Sequence, residues 1–145
     1  MGARTTAREA ALQMLFAFDT TGDGVDQILF DYWRETPGEV EGRAYADVIV
    51  RGVITQLEEV DRRITSASAH WRLDRMNRVD RNVLRIGAWE LTQRTETPRA
   101  VVLDEAVELA KRYGTEDSGS FVNGVLDRIA DDCGRLDTDR GSAQR

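Results

Sequence analysis

Apolar side chains recur along this chain at three- and four-residue intervals, and no strand-like alternation persists. The pattern predicts an all-α, single-domain bundle of six or seven helices without an internal repeat. Ala11, Leu15 and Phe18, widened by Leu12 and Phe16, mark the first helix. Its start fits a capping box, Thr6-Ala7-Arg8-Glu9, in which hydroxyl and carboxylate satisfy free backbone N–H groups. Thr20-Thr21-Gly22-Asp23-Gly24 reads as a turn. Val25, Ile28, Leu29 and Tyr32 share one face of a second helix, which Pro37-Gly38 breaks. A long third helix over roughly 39–66 carries Ala44, Tyr45, Val48, Ile49, Val53, Leu57, Val60 and Ile64 in the helical repeat. Gly52 inside it costs about 1 kcal/mol against alanine, which close approach of another helix would explain.

The pattern loosens around 66–76, a connector with His70 and Trp71. Asn77 is suited to cap a fourth helix, with Asp80 in its first turn and Val79, Val83, Ile86, Gly87 and Leu91 on its inner side. Thr97-Pro98 opens a fifth segment through Leu103, Ala106, Val107, Ala110 and Tyr113. Gly114 fits the left-handed residue that ends a helix. A last helix over roughly 117–131 turns Phe121, Val122, Val125, Leu126 and Ile129 inward. The domain therefore spans 1–133, and 134–145 reads as a polar tail, expected to be disordered.

Composition narrows the function by exclusion. Cys133 is the only cysteine, so it forms no internal disulfide, and with His70, the only histidine, far from it in sequence, it gives no soft-metal site. No Gly-x-Ser-x-Gly or Walker loop accompanies them. Neither an enzyme nor a cofactor is expected. No apolar run approaches membrane-spanning length, and no secretory leader is visible, so a cytoplasmic protein without a membrane contact is expected. The net charge of −6 argues against general polyanion binding but leaves room for a local basic patch.

Such a patch exists. Arg72, Arg75, Arg78, Arg81, Arg85 and Arg94 cluster against Asp74, Asp80 and Glu90. At 100° per residue Arg75, Arg78, Arg81 and Arg85 form one stripe, with Trp89 beside it. Arginines next to an aromatic ring suit single-stranded RNA, which offers phosphates and unstacked bases. A solvated face, with Trp89 packed on a neighbouring helix, fits the same spacing. Arg4 and Arg8 form a smaller basic element, poorly placed for the macrodipole of the first helix.

Four segments carry a family resemblance. Val83-Leu84-Arg85-Ile86-Gly87-Ala88-Trp89-Glu90-Leu91 is similar to the VLRIA-x-xEL helix of NusB proteins. The segment from Asp104 to Gly114 resembles their NEAIELAK-x-(F/Y)G stretch. Phe121-Val122-Asn123-Gly124-Val125-Leu126-Asp127 matches FVNGVLD without a change, and Ala7 to Phe16 resembles the ARE-x-A-x-Q-x-LY opening. The order and spacing are those of the family. The resemblance implies two packed helical halves and a role in processive antitermination during ribosomal RNA transcription. It implies binding of boxA-like single-stranded RNA together with the ribosomal protein NusE, and assembly with other Nus factors on RNA polymerase. Carried over by position, the RNA side falls on Arg4, Arg8, Phe16, Arg78, Asp80 and Arg85. The partner side falls on Glu105, Tyr113, Asp117 and Phe121, where acidic and aromatic groups suit a basic protein. Tyr113 and Phe121 read equally as core, and Glu105 and Asp117 as helix-start carboxylates. Asn123 reads equally as a backbone partner and Gly124 as a close helix contact.

The chain departs from the family in its short basic arm, limited to Arg4 and Arg8, and in its acidic balance. Two other readings stand beside antitermination. One is the NusB-like RNA-binding domain of a ribosomal RNA methyltransferase, although no cofactor loop follows here. The other is an interaction module that has lost RNA binding. A homodimer is a further state the resemblance leaves open.

Overall fold

A computed structural model describes residues 2–36, 40–69 and 71–141. Its regular elements are α1 (Ala3–Thr21), α2 (Val25–Glu35), α3 (Arg43–Thr55), α4 (Leu57–Ala67), a 3-10 turn (Leu73–Arg75), α5 (Arg78–Gln93), α6 (Arg99–Tyr113) and α7 (Ser118–Asp132). Among the described residues all regular structure is helical. No helix among them is long and apolar enough to cross a membrane. The elements divide into two compact units, residues 1–55 and 56–145.

In the first unit α1 lies against α3 and α2. Ala7, Ala10 and Ala11 keep the inner side of α1 small, and Met14 and Leu15 extend it. The pattern pointed to Tyr32 as the inner ring of α2. Trp33 takes that place instead: it is buried, and its Nε1 donates to Asp47 Oδ1 on α3 at 2.7 Å. Tyr32 sits at the edge and donates to Gln13 Oε1. The capping box at Thr6 does not form. The helix starts three residues earlier, at Ala3, and the Thr6 hydroxyl donates back to the Gly2 carbonyl.

The long third helix is two helices. Gln56, at φ −108° and ψ 24°, interrupts it between Thr55 and Leu57. The interruption follows Val53-Ile54-Thr55, three β-branched residues in a row, which are poor helix formers. The start also shifts, to Arg43, behind Gly42 at φ +82°. The Pro37-Gly38 break, Glu39 and His70 fall outside the described residues.

In the second unit α5 is the axis. It touches α4, α6 and α7, and every residue from 82 to 91 is buried. Its N-terminus is capped as predicted: Asn77 Oδ1 accepts from the Asp80 N–H at 2.8 Å. Gly87 faces α7, where a Cβ would stand 2.6 Å from Leu126 Cδ1. Gly114 does end α6, but in extended rather than left-handed backbone, at φ −103°. Space is what demands glycine there, because a Cβ would press on Ser118 Oγ and the Ala110 carbonyl.

The expected disordered tail is docked from Gly134 through Gly141. Arg135 is buried, and its guanidinium donates to the Leu91 carbonyl at 2.8 Å, to the Thr97 carbonyl and to Asp139. Buried Arg99 on α6 donates to Asp127 at 2.6 Å, Asp131 at 2.9 Å and the Arg135 carbonyl. Polar composition alone hid this, because the tail is held by charge-assisted hydrogen bonds rather than apolar contacts.

Replacing Arg135 strands carbonyls that α5 and its following turn cannot satisfy themselves. Arg135→Ala is expected to lower unfolding stability by about 1–3 kcal/mol, read as a lower urea midpoint. A midpoint equal to that of the parent would show that the tail carries no stability.

Candidate functional site

The first turn of α5 and the 3-10 turn before it build one side of a pocket of about 340 Å³. Arg75, Met76, Asn77 and Asp80 line it there, Trp71 stands in the connector, and Asp117 and Phe121 close it from the start of α7. Trp71 is exposed and meets Phe121 edge-on, with ring centroids 6.0 Å apart. Asp80 is buried. Its Oδ2 accepts from Asn77 Nδ2 at 3.1 Å, while its Oδ1 is shut from solvent without a hydrogen-bond partner among the described residues. The pocket thus offers two rings, the Asp80 and Asp117 carboxylates and, at its rim, exposed Arg75. It suits a flat group that carries N–H donors.

Asp80, assigned to RNA by position, therefore shares a pocket with Asp117 and Phe121, assigned to the protein partner. Phe121 is half-buried on a ring rather than enclosed in the core. Asp117 is exposed and its side chain caps nothing; its carbonyl accepts from the Phe121 N–H. Asn123 and Gly124, of the same matched motif, are exposed as well. A Cβ at Gly124 would meet nothing within 4 Å, so close helix contact is not its role. Glu105 is half-buried and Tyr113 exposed at 40%, both on α6, which sets Tyr113 outside the core too.

The arginine stripe splits. Arg75 and Arg78 are exposed and Arg81 is half-buried. Arg85 is 6% exposed, and its Nε and Nη2 donate to the two oxygens of Asp61 on α4 at 2.9 and 3.0 Å. Its Nη1 donates to Asn82 Oδ1. This forked pair holds α5 to α4, so Arg85 faces the interior where the stripe put it on the surface. Trp89 is buried as well, which realises the packed alternative for that ring.

In the first unit the N-terminal arginines gather on a ring that the spacing had marked only as core. The Arg4 guanidinium lies over Tyr45 at 3.7 Å from its centroid, and that of Arg8 is 5.9 Å away. Arg4 is exposed, whereas Arg8 is buried. Phe16 is half-buried, three turns along α1 from Arg4.

Trp71 and Asn77 line the pocket and Tyr45 lies beneath Arg4, positions that the sequence pattern did not assign to a site. An exposed tryptophan in a loosened connector was the one available signal for Trp71. Among the described residues no group of three or more His, Cys, Asp or Glu is placed to hold a metal ion.

Comparison with known proteins identifies the family. A profile of the NusB family matches residues 5–131. The chain belongs to the NusB family. It is 66% identical over 140 residues to the transcription antitermination protein NusB of Sorangium cellulosum, covering 97% of this chain and 100% of that one. The solved structure of T. maritima NusB superposes with a TM-score of 0.79 at 40% identity, covering 88% of this chain and 90% of the other. A chain from the crystal structure of the antitermination factors NusB and NusE in complex with dsRNA gives 0.80 at 29% identity, covering 90% and 97%. Antitermination of transcription is thus the role of this NusB chain.

Two arginines of one stripe should now behave differently. Arg85→Ala leaves Asp61 without its partner and should cost about 2–4 kcal/mol of unfolding stability. Arg78→Ala should stay within about 0.5 kcal/mol, as for most surface sites. Denaturant unfolding of both variants decides it, and equal losses would contradict the split.

Proposed function

We propose that this NusB chain binds boxA-type single-stranded RNA together with the ribosomal protein NusE, and that the pair joins other Nus factors on RNA polymerase during ribosomal RNA transcription. The observation that carries this reading is the pocket around Asp80. Trp71 and Phe121, with the Asp80 and Asp117 carboxylates in the same lining, match a splayed base, which offers an amino edge and a face for stacking. Exposed Arg75 and Arg78 lie on the same unit, where phosphates would follow. A relative in complex with NusE and dsRNA supports NusE and RNA as partners, while the single-stranded form rests on the pocket. An unpaired base is what such a pocket requires, and a continuous duplex would not supply one.

On this reading Asp80, Asp117 and Phe121 serve the RNA with Arg4, Phe16 and Arg78. Arg85 acts by holding α5 in place. Glu105 and Tyr113 on α6 remain for NusE, an acidic and aromatic pair toward a basic protein. Since the chain carries a net charge of −6, it should bind RNA weakly by itself and more tightly with a basic partner that lengthens the positive track. Linkage then makes RNA strengthen the protein–protein affinity by the same factor.

Fluorescence anisotropy on a boxA-type oligomer, for the chain, for NusE and for the pair at several salt concentrations, tests this. The pair should bind more tightly than either component. Arg78→Ala should reduce the salt slope by about 0.7, and Phe121→Ala should cost about 1–3 kcal/mol with the slope unchanged. Equal affinity for the pair and for the better component would refute the cooperative reading.

A further inference from the structure

The start of α1 is electrostatically awkward. Gly2 caps it without a side chain, its first turn holds no acidic residue, and Arg4 sits where the helix dipole is positive. The Tyr45 ring in the first turn of α3 offsets this for Arg4. Gly42, at φ +82°, brings the chain so close to α1 that a Cβ there would collide with the Ala3 carbonyl oxygen. Three residues on, Tyr45 is buried to 8% exposure with the Arg4 guanidinium 3.7 Å from its ring centroid. A cation over a ring face at that distance is held by the ring quadrupole as well as by contact. Arg4 itself remains exposed, so the side of the guanidinium away from the ring is open to solvent. Arg8, one helical turn on, is buried and lies farther from the same ring, at 5.9 Å.

We infer that Tyr45 is a positioning residue for RNA binding: its ring holds the Arg4 guanidinium in place at the surface before RNA arrives. The inference rests on the proposed RNA reading of Arg4. Tyr45 adds no charge and touches no RNA. It removes conformational freedom that a long side chain at a chain terminus would otherwise lose on binding. Gly42 belongs to the same device, since only a residue without a side chain lets the two helix starts approach this closely.

The prediction is an effect on affinity without an effect on charge. Anisotropy titrations use the full chain with NusE and a boxA-type oligomer, over a range of salt. Arg4→Ala should weaken binding and lower the salt slope by about 0.7. Tyr45→Leu should weaken binding by about three- to fivefold, the equivalent of a modest cation–π contact, with the slope unchanged. Tyr45→Phe, which keeps the ring, should bind like the parent. The double variant Arg4→Ala, Tyr45→Leu should bind no more weakly than Arg4→Ala alone, because Tyr45 acts only through Arg4. Additive losses would show a general structural role and overturn the inference. So would parent-like binding by Tyr45→Leu while Arg4→Ala is impaired. Parent-like binding by Arg4→Ala would instead remove Arg4 from the RNA site and leave Tyr45 nothing to position. Should Tyr45→Leu fail to fold, ¹⁵N relaxation of the Arg4 Nε–H in the free parent protein decides. Restricted motion relative to exposed Arg140 supports the inference, and equal mobility overturns it.

Discussion

The second unit depends on enclosing a helix that is not apolar. α5 is covered by α4, α6 and α7, yet it carries Asn82, Arg85 and Glu90 among its buried residues. Burying a guanidinium is costly unless a carboxylate and further acceptors meet it with good geometry. Asp61 does so with both oxygens, and Asn82 adds a third acceptor. That requirement fixes which side of α5 faces α4. With it are fixed the turn that carries Asp80 and the contact of Gly87 with Leu126. The pocket at the N-terminal end of α5 inherits its geometry from this pair, although Arg85 takes no part in lining it.

The division of labour among arginines explains how an acidic chain can keep a basic function. Arg85, Arg99 and Arg135 are buried and hold helices or carbonyls in place. Arg62 and Arg63 pair with Glu59, and Arg51 with Asp26. Few guanidinium groups are left toward solvent near the pocket. Those few need their direction fixed, by the 3-10 turn for Arg75 and by a helix start for Arg78. Arginine suits both tasks, since its planar fork satisfies several acceptors inside and presents a flat cation outside.

Periodicity made the helices legible, because an apolar stripe is a direct record of which side is covered. The Asn77 cap was legible too, since the N–H it must satisfy is only three residues away. What escaped notice depended on distant partners. A repeat that counts arginine as surface cannot find Asp61, 24 residues earlier, and so placed Arg85 outside. The same repeat gave Tyr45 and Trp33 no special standing, because a ring beneath a guanidinium and a ring in a core share one spacing. Gly114 was correctly read as a helix end, but its cause is the Ser118 side chain in the next helix rather than its own backbone angle. Phe121 and Asp117 were recognisable as surface candidates only through the family motif. Their union with Asp80 came from the fold.

The docked tail has a consequence for the order in which the chain acquires its contacts during synthesis. Everything that α1, α2 and α3 need from one another is translated by residue 55. The turn after α5 is different: the donor for Leu91 is made 44 residues later and that for Thr97 38 residues later, both on Arg135. Because domains form from the N-terminus as the ribosome delivers them, the first unit can close while most of the second is still unmade. The Leu91 and Thr97 carbonyls then remain hydrated until Arg135 has left the ribosome.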